Sequence, residues 1–380
     1  MRLVYFALVE LFFLSAAAQE KLSNKITITG KVNGDTKGYN KVYVYGDGLP
    51  GDSTIIQNET FKFILPYKSP GYLLFYTEYD IRKHGGYGPF VILIDRPGNV
   101  NVVTKDIDQG FNTSKLSGLK SAMLWQEFST AKKVTYKKIT DGVATIYGKG
   151  WVPKGDPDYE KINNARDSML HIYLNSFISK FIKDHRDSYV SLFVLYESRN
   201  SLTPSEMEDN YKMILKPLRN TKKGRNVADF INGLKNAVIG HPVKNFLLND
   251  PAGKPFSFEQ LKGKYVVIDF WASWCIPCRK SFPHMREVYK QLKGKNVEFY
   301  SISIDKDKNA WLKAVEIENN AWIQTMDIKN ISVKEFAVTD IPATFLIDPD
   351  GKIVLEEIGF NPDRKGLIEK KLEDLCGDKN

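Results

Sequence analysis

Cys275 and Cys278 are separated by two residues in Trp274-Cys275-Ile276-Pro277-Cys278. Two thiols at this spacing can close a small-ring disulfide and open it again. The pair follows the apolar run Tyr265-Val266-Val267-Ile268-Asp269-Phe270-Trp271, which reads as a buried strand, and it opens a stretch that reads as a helix. At a strand-to-helix turn the first sulfur faces the helix's free N–H groups and the positive end of its dipole, and both stabilise a thiolate. Pro277 suits the first helical turn, where its missing N–H costs nothing. The chemistry is thiol–disulfide exchange. A zinc pair is the competing reading, but structural zinc takes four Cys or His ligands. Only Cys376 remains, and His84, His171, His185, His241 and His284 fall at no ligand spacing. No metal and no cofactor is expected.

The elements around this pair account for a minority of the 380 residues, so more than one domain is expected. Residues 1–18 read as a cleavable secretory signal: Met1-Arg2 is basic, an apolar stretch follows, and Ala16-Ala17-Ala18 precedes Gln19. Glu10 interrupts the apolar stretch, and the segment is short for a membrane span. Residues 25–110 read as an antiparallel β-rich domain. Its short runs, such as Val42-Tyr43-Val44-Tyr45 and Phe90-Val91-Ile92-Leu93-Ile94, are punctuated by Gly, Pro, Asn and Asp. The tyrosines between Tyr39 and Tyr87 read either as a glycan or peptide site or as ordinary strand fillers.

Residues 115–236 read as helical, with Ile162, Met169, Tyr173, Phe177 and Phe181 recurring at helix spacing. Thr203-Pro204-Ser205-Glu206 has the residues of a capping box. Asp141 to Tyr159 reads as a long loop. A substrate cradle, a homodimer surface and a rigid spacer all remain open for these helices. The net charge of +9 is spread along the chain, densest at Lys132-Lys133, Lys137-Lys138 and Lys222-Lys223-Gly224-Arg225. No stacking aromatics interleave these bases in a known module, so they read as solvated surface and not as a nucleic-acid site.

From about Ala237 onward the chain resembles the exported TlpA/ResA-like thiol–disulfide oxidoreductases of the thioredoxin superfamily. Four segments beside the cysteines carry the resemblance: Gly240-His241-Pro242-Val243-Lys244-Asn245-Phe246, Leu261-Lys262-Gly263-Lys264, Ile341-Pro342-Ala343-Thr344-Phe345 and Asp348-Pro349-Asp350-Gly351-Lys352. The resemblance implies an α/β thioredoxin-like domain over 237–380, a central mixed sheet flanked by helices. Its strands would be 265–271, Val297 to Ser303, Thr344 to Ile347 and Lys352 to Ile358. Helices would start at Cys275, near Asp307 and near Pro362.

It also implies roles. Cys275 would be the exposed attacking cysteine and Cys278 the buried resolving one. Pro342 would be a cis-proline that, with Ile341 and Trp274, shapes a substrate groove. Asp269 would be a buried acid that takes the Cys278 proton. Two positions depart from the pattern. Ile276-Pro277 replaces the Gly-Pro of thioredoxin, and Ser281 stands where many members of this branch carry a glutamate. Arg279 and Lys280 would either favour the thiolate or form a solvated helix face.

The expected function is an extracytoplasmic thiol–disulfide oxidoreductase of a bacterial envelope. Its clients would be exported proteins bearing thiols or disulfides, and a membrane thiol relay would supply electrons. A thiol peroxidase is a second enzyme class, though Trp271-Ala272-Ser273-Trp274-Cys275 lacks its usual threonine and proline context. A non-enzymatic envelope binding protein is the third reading.

Overall fold

The computed structural model describes residues 24–46, 49–85, 88–153, 155–292, 294–360 and 366–376. The leader reading, Tyr87 and Pro362 lie outside them, and so does the Cys376 side chain. The chain divides into two compact units, Met1–Ser201 with Lys212–Leu218 and Leu202–Tyr211 with Arg219–Asn380.

The first unit is built on β1 (Lys25–Val32), β2 (Lys41–Gly46), β3 (Leu49–Ile55), β4 (Thr60–Pro66), β5 (Gly71–Thr77), α1 (Glu78–His84), β6 (Phe90–Ile94), β7 (Gly98–Thr104) and β8 (Lys115–Gly118). They form two four-stranded sheets, ordered β4-β1-β7-β8 and β3-β2-β5-β6. Alternate residues of β1, β4 and β5 are buried, as expected of strands with one face on a core. Both sheets bury that face in one cluster that includes Ile28, Val42, Phe75 and Val100. The antiparallel expectation needs one correction. β1 pairs with β7 in parallel, a partner too distant in sequence for local turn signals to reveal. Tyr79 is core, while Tyr43, Tyr45 and Tyr76 stack on one another along β2 and β5.

Helices α2 (Lys120–Tyr147), α3 (Tyr159–Asp184) and α4 (Tyr189–Glu197) follow in the same unit. The loop expected from Asp141 begins only after Tyr147. Gly142 costs a helix interior about 1 kcal/mol, but Ile139 and Val143 on either side of it are buried and hold the helix through it.

Two short helices, α5 (Pro204–Met213) and α6 (Lys216–Arg219), precede α7 (Lys222–Asn236). The capping box forms reciprocally. Glu206 N donates to Thr203 Oγ1 at 3.3 Å, and Thr203 N donates to Glu206 Oε2 at 2.8 Å. The second unit thus takes in α7, upstream of Ala237.

The rest of this unit is β9 (Leu247–Asn249), β10 (Pro255–Ser257), β11 (Tyr265–Trp271), α8 (Ile276–Leu292), β12 (Val297–Ser303), α9 (Lys308–Glu318), β13 (Ile323–Met326), α10 (Ile331–Lys334), β14 (Ala343–Ile347), β15 (Ile353–Ile358) and α11 (Leu367–Cys376). A seven-stranded mixed sheet runs β10-β9-β13-β12-β11-β14-β15. β11 and β13 flank β12 in parallel, and β14 closes on β11 antiparallel. This is the thioredoxin-like sheet with its helices. β11 is buried on both faces, as a central strand requires. Val266, Ile268 and Phe270 enter one apolar cluster, and Val267 and Trp271 enter the other. The second cluster also holds Cys275, Cys278 and Phe282, so α8 lies on that face. Among the described residues no helix is long and apolar enough to cross a membrane.

Candidate active site

β11 delivers the chain to the carboxyl edge of the sheet at Trp271, and α8 starts at Ile276. Cys275 is the residue before the helix, and its carbonyl accepts from Arg279 N at 3.1 Å. Its side chain behaves as a cap: Cys278 N donates to Cys275 Sγ at 3.2 Å. That N–H is one of the helix donors with no intrahelical partner, so the sulfur sits where negative charge is stabilised. Cys275 and Cys278 are joined as a disulfide. In this oxidised state Cys275 keeps 4% exposure and Cys278 none, so the asymmetry expected of an attacking and a resolving cysteine is small.

Trp274 and Ile276 flank the disulfide and are among the most exposed apolar side chains, at 65% and 67%. The Ile341–Pro342 peptide is cis. Ile341 O lies 3.8 Å from Cys275 Sγ, and Pro342 is buried at the start of β14. The cis-proline loop thus brings the Ile341 carbonyl to the sulfur that Trp274 and Ile276 border in sequence.

The turn before Cys275 is tied to β12 by a carboxylate. Asp305 is buried and accepts from Ser273 N at 2.8 Å, from Ser273 Oγ at 2.7 Å and from Ser303 Oγ at 2.6 Å.

Asp269 lies on the face of β11 that carries Val267 and Trp271, the face covered by α8 and the two cysteines. It is 1% exposed. Burial pushes its pKa up to about 7, with the Ser301 hydroxyl pulling the other way. Ser301 Oγ donates to Asp269 Oδ2 at 3.0 Å, and Trp322 Nε1 donates to Ser301 Oγ at 2.8 Å.

Ser281 is buried, and its hydroxyl donates back to Cys278 O at 2.7 Å, so this position supplies no acid. Arg279 Nε donates to Glu318 Oε1 of α9 at 2.6 Å, which matches its charge away from the thiol. Lys280 is exposed.

Ser301, Trp322 and Asp305 are absent from the sequence reading. The signal for the first was present in β12, where Phe299, Ser301 and Ser303 put two small hydroxyls on one face of a buried strand.

Comparison with known proteins converges on the same segment. Residues 239–355 match the AhpC/TSA family. The thiol-disulfide oxidoreductase ResA of Bacillus cereus is 36% identical over 32% of this chain and 70% of its own length. That of Bacillus subtilis is 35% identical over 32% and 68%. A thiol:disulfide interchange protein of Bacteroides sp., known from its solution structure, is 30% identical, with coverage of 38% and 95% and a TM-score of 0.34.

Proposed function

The chain belongs to the ResA-like thiol–disulfide oxidoreductases of the thioredoxin superfamily, and from that premise we propose that it reduces or rearranges disulfides of exported proteins through Cys275 and Cys278. The observation that carries this reading is the Cys275 sulfur at the head of α8, receiving the Cys278 N–H beside the Ile341–Pro342 loop.

In the reduced enzyme Cys275 attacks as a thiolate. Its sulfur bonds to one sulfur of the client disulfide, and the other client sulfur leaves as a thiolate that takes a proton from water. Cys278 then gives its proton to the Asp269 carboxylate and attacks Cys275 Sγ. The bond between Cys275 and the client breaks, the second client sulfur leaves, and the Cys275–Cys278 disulfide remains. Two electrons have passed from the dithiol to the client. A buried carboxylate near neutrality is suited to this exchange, because a general base works best with a pKa close to the working pH. Trp274 and Ile276 supply apolar surface for the client backbone beside the sulfurs.

The extracytoplasmic setting is supported by the leader-like pattern of residues 1–18. An enzyme in an oxidising compartment needs a thiol donor to recharge it, and a membrane thiol relay fills that role. Insulin-disulfide reduction with dithiothreitol tests the core of the reading. Cys275→Ser is expected to abolish the enzyme-dependent rate, and full activity in that variant would remove the assignment.

A further inference from the structure

Resolution as proposed above needs Asp269 as a carboxylate while it is buried, and burial alone works against that form. A carboxyl group moved out of water holds its proton more tightly. The side chains packed on this face of the sheet are mostly apolar. Within the apolar cluster on this face the groups that can titrate are Cys275 and Cys278 of α8 once reduced, with Tyr265 and Tyr289 at the margin. Elsewhere on α8, His284 pairs with Glu369 of α11 and Arg286 with Glu318 of α9. Thr344 is the neighbour in register on β14 and Ser301 the neighbour on β12. Glu357, in register beyond Thr344 on β15, is occupied with the N–H groups of Leu367 and Ile368. Asp305 is held by Ser273 and Ser303. Arg279 is paired with Glu318. Among the described residues, burial raises the proton affinity of Asp269 and the Ser301 hydroxyl opposes it.

We propose that Ser301, oriented by Trp322, is a positioning residue that keeps the Asp269 carboxyl available as a base. The argument is one of hydrogen-bond polarity. An indole N–H donates and cannot accept, whereas a serine hydroxyl does both. Trp322 Nε1 gives its proton to Ser301 Oγ, and Ser301 gives its own to Asp269 Oδ2. Both bonds run toward the carboxylate, and donors aligned in a chain strengthen one another. Protonated Asp269 gains nothing comparable. A proton on Oδ2 would compete with the serine proton already there.

The indole is fixed to do this. It packs against Phe282, Tyr289 and Phe299, whose ring centroids lie 6.3, 5.5 and 5.6 Å away. The bond acts on Asp269 through Ser301, with no contact to the client.

The inference rests on the proton role of Asp269, and the experiment separates the two. In full-length oxidised protein with 13C-labelled aspartate carboxyls, the Asp269 resonance is assigned by its loss in Asp269→Asn and titrated with pH. A hydrogen bond to a charged group corresponds to about one to two pH units. Ser301→Ala is therefore expected to raise the Asp269 midpoint by about that much, Trp322→Phe by less in the same direction, and Ser301→Thr to restore the wild-type midpoint. An unchanged or lowered midpoint in Ser301→Ala overturns the inference.

Stopped-flow resolution of a mixed disulfide is then followed from pH 6 to 8. The rate profile of Ser301→Ala is expected to move alkaline, and adding Ser301→Ala to Asp269→Asn should cause no further movement. Wild-type resolution in Asp269→Asn would refute the proton role of Asp269. The carboxyl titration would still decide whether Ser301 and Trp322 set its protonation.

Discussion

The main-chain N–H of Cys278 points at Cys275 Sγ across 3.2 Å, inside the first turn of α8. If the contact persists in the reduced protein, it becomes a hydrogen bond to the Cys275 thiolate. A free cysteine titrates near 8.5, and helix N-termini lower that value. In Cys278→Ser the backbone donor survives while the disulfide cannot form. The pH dependence of iodoacetamide alkylation of Cys275 in this variant should therefore show a midpoint below that of a free thiol. The same variant should accumulate mixed disulfides with clients. A midpoint at or above the free-thiol value would show that the helix end does not activate the sulfur.

Asp269 makes folding stability depend on pH. Its folded pKa is raised to about 7 from an ordinary value near 3.8, so the native protein holds a proton that the unfolded chain releases. Stability is full below the unfolded value, falls as pH rises toward about 7 and is flat beyond. Three pH units correspond to about 4 kcal/mol. Asp269→Asn removes that dependence. Urea unfolding of the oxidised proteins should show the variant gaining on wild type between pH 4 and 7 by an amount of that order. Parallel stability curves would refute the prediction.

Asp305 anchors the turn that carries Trp274 and Cys275. Asp305→Ala leaves Ser273 N, Ser273 Oγ and Ser303 Oγ without their acceptor. Stranded buried donors cost about 1–3 kcal/mol each at most, and hydroxyls can turn to other partners, so a loss of about 3 kcal/mol is expected. Denaturant midpoints measure it. Asp305→Asn, which keeps one carbonyl oxygen, should lose less.

Gly233 sits in α7, where alanine would normally gain about 1 kcal/mol. Here a Cβ would stand 1.9 Å from Val333 O and 2.8 Å from Ala337 N, both backbone atoms that cannot rotate away. The clash outweighs the propensity. Gly233→Ala should lower the thermal midpoint by an amount equivalent to roughly 1–3 kcal/mol. A raised midpoint would mean that α7 can slide without penalty.

The sequence disclosed what is local. Cys275, Cys278 and Pro277 are contiguous with an apolar strand, and their spacing in that strand-to-helix context points to thiol–disulfide chemistry. The Ile341-Pro342-Ala343-Thr344-Phe345 segment was recognisable as a segment. What stayed hidden depends on pairing across long stretches of chain. Ser301 reaches Asp269 because β12 lies beside β11 in parallel register, and Trp322 reaches Ser301 from the position just before β13. β13 and the strands β9 and β10 are too short to carry a period of their own. The parallel β1–β7 pair is hidden by the distance between its strands in sequence, and α2 runs past Asp141 because packing outweighs one glycine.

The close seat of Gly233 against Val333 also sets where the chain can be cut. Asn236 Nδ2 donates to Lys334 O at 3.1 Å, and Lys334 Nζ lies 3.7 Å from Asp229 Oδ2. A recombinant fragment beginning at Ala237 would retain both cysteines and yet be born missing one wall. It would expose the groove that receives α7 and invite self-association. A fragment beginning at Leu202 keeps that helix in place, and it is the shorter piece worth expressing.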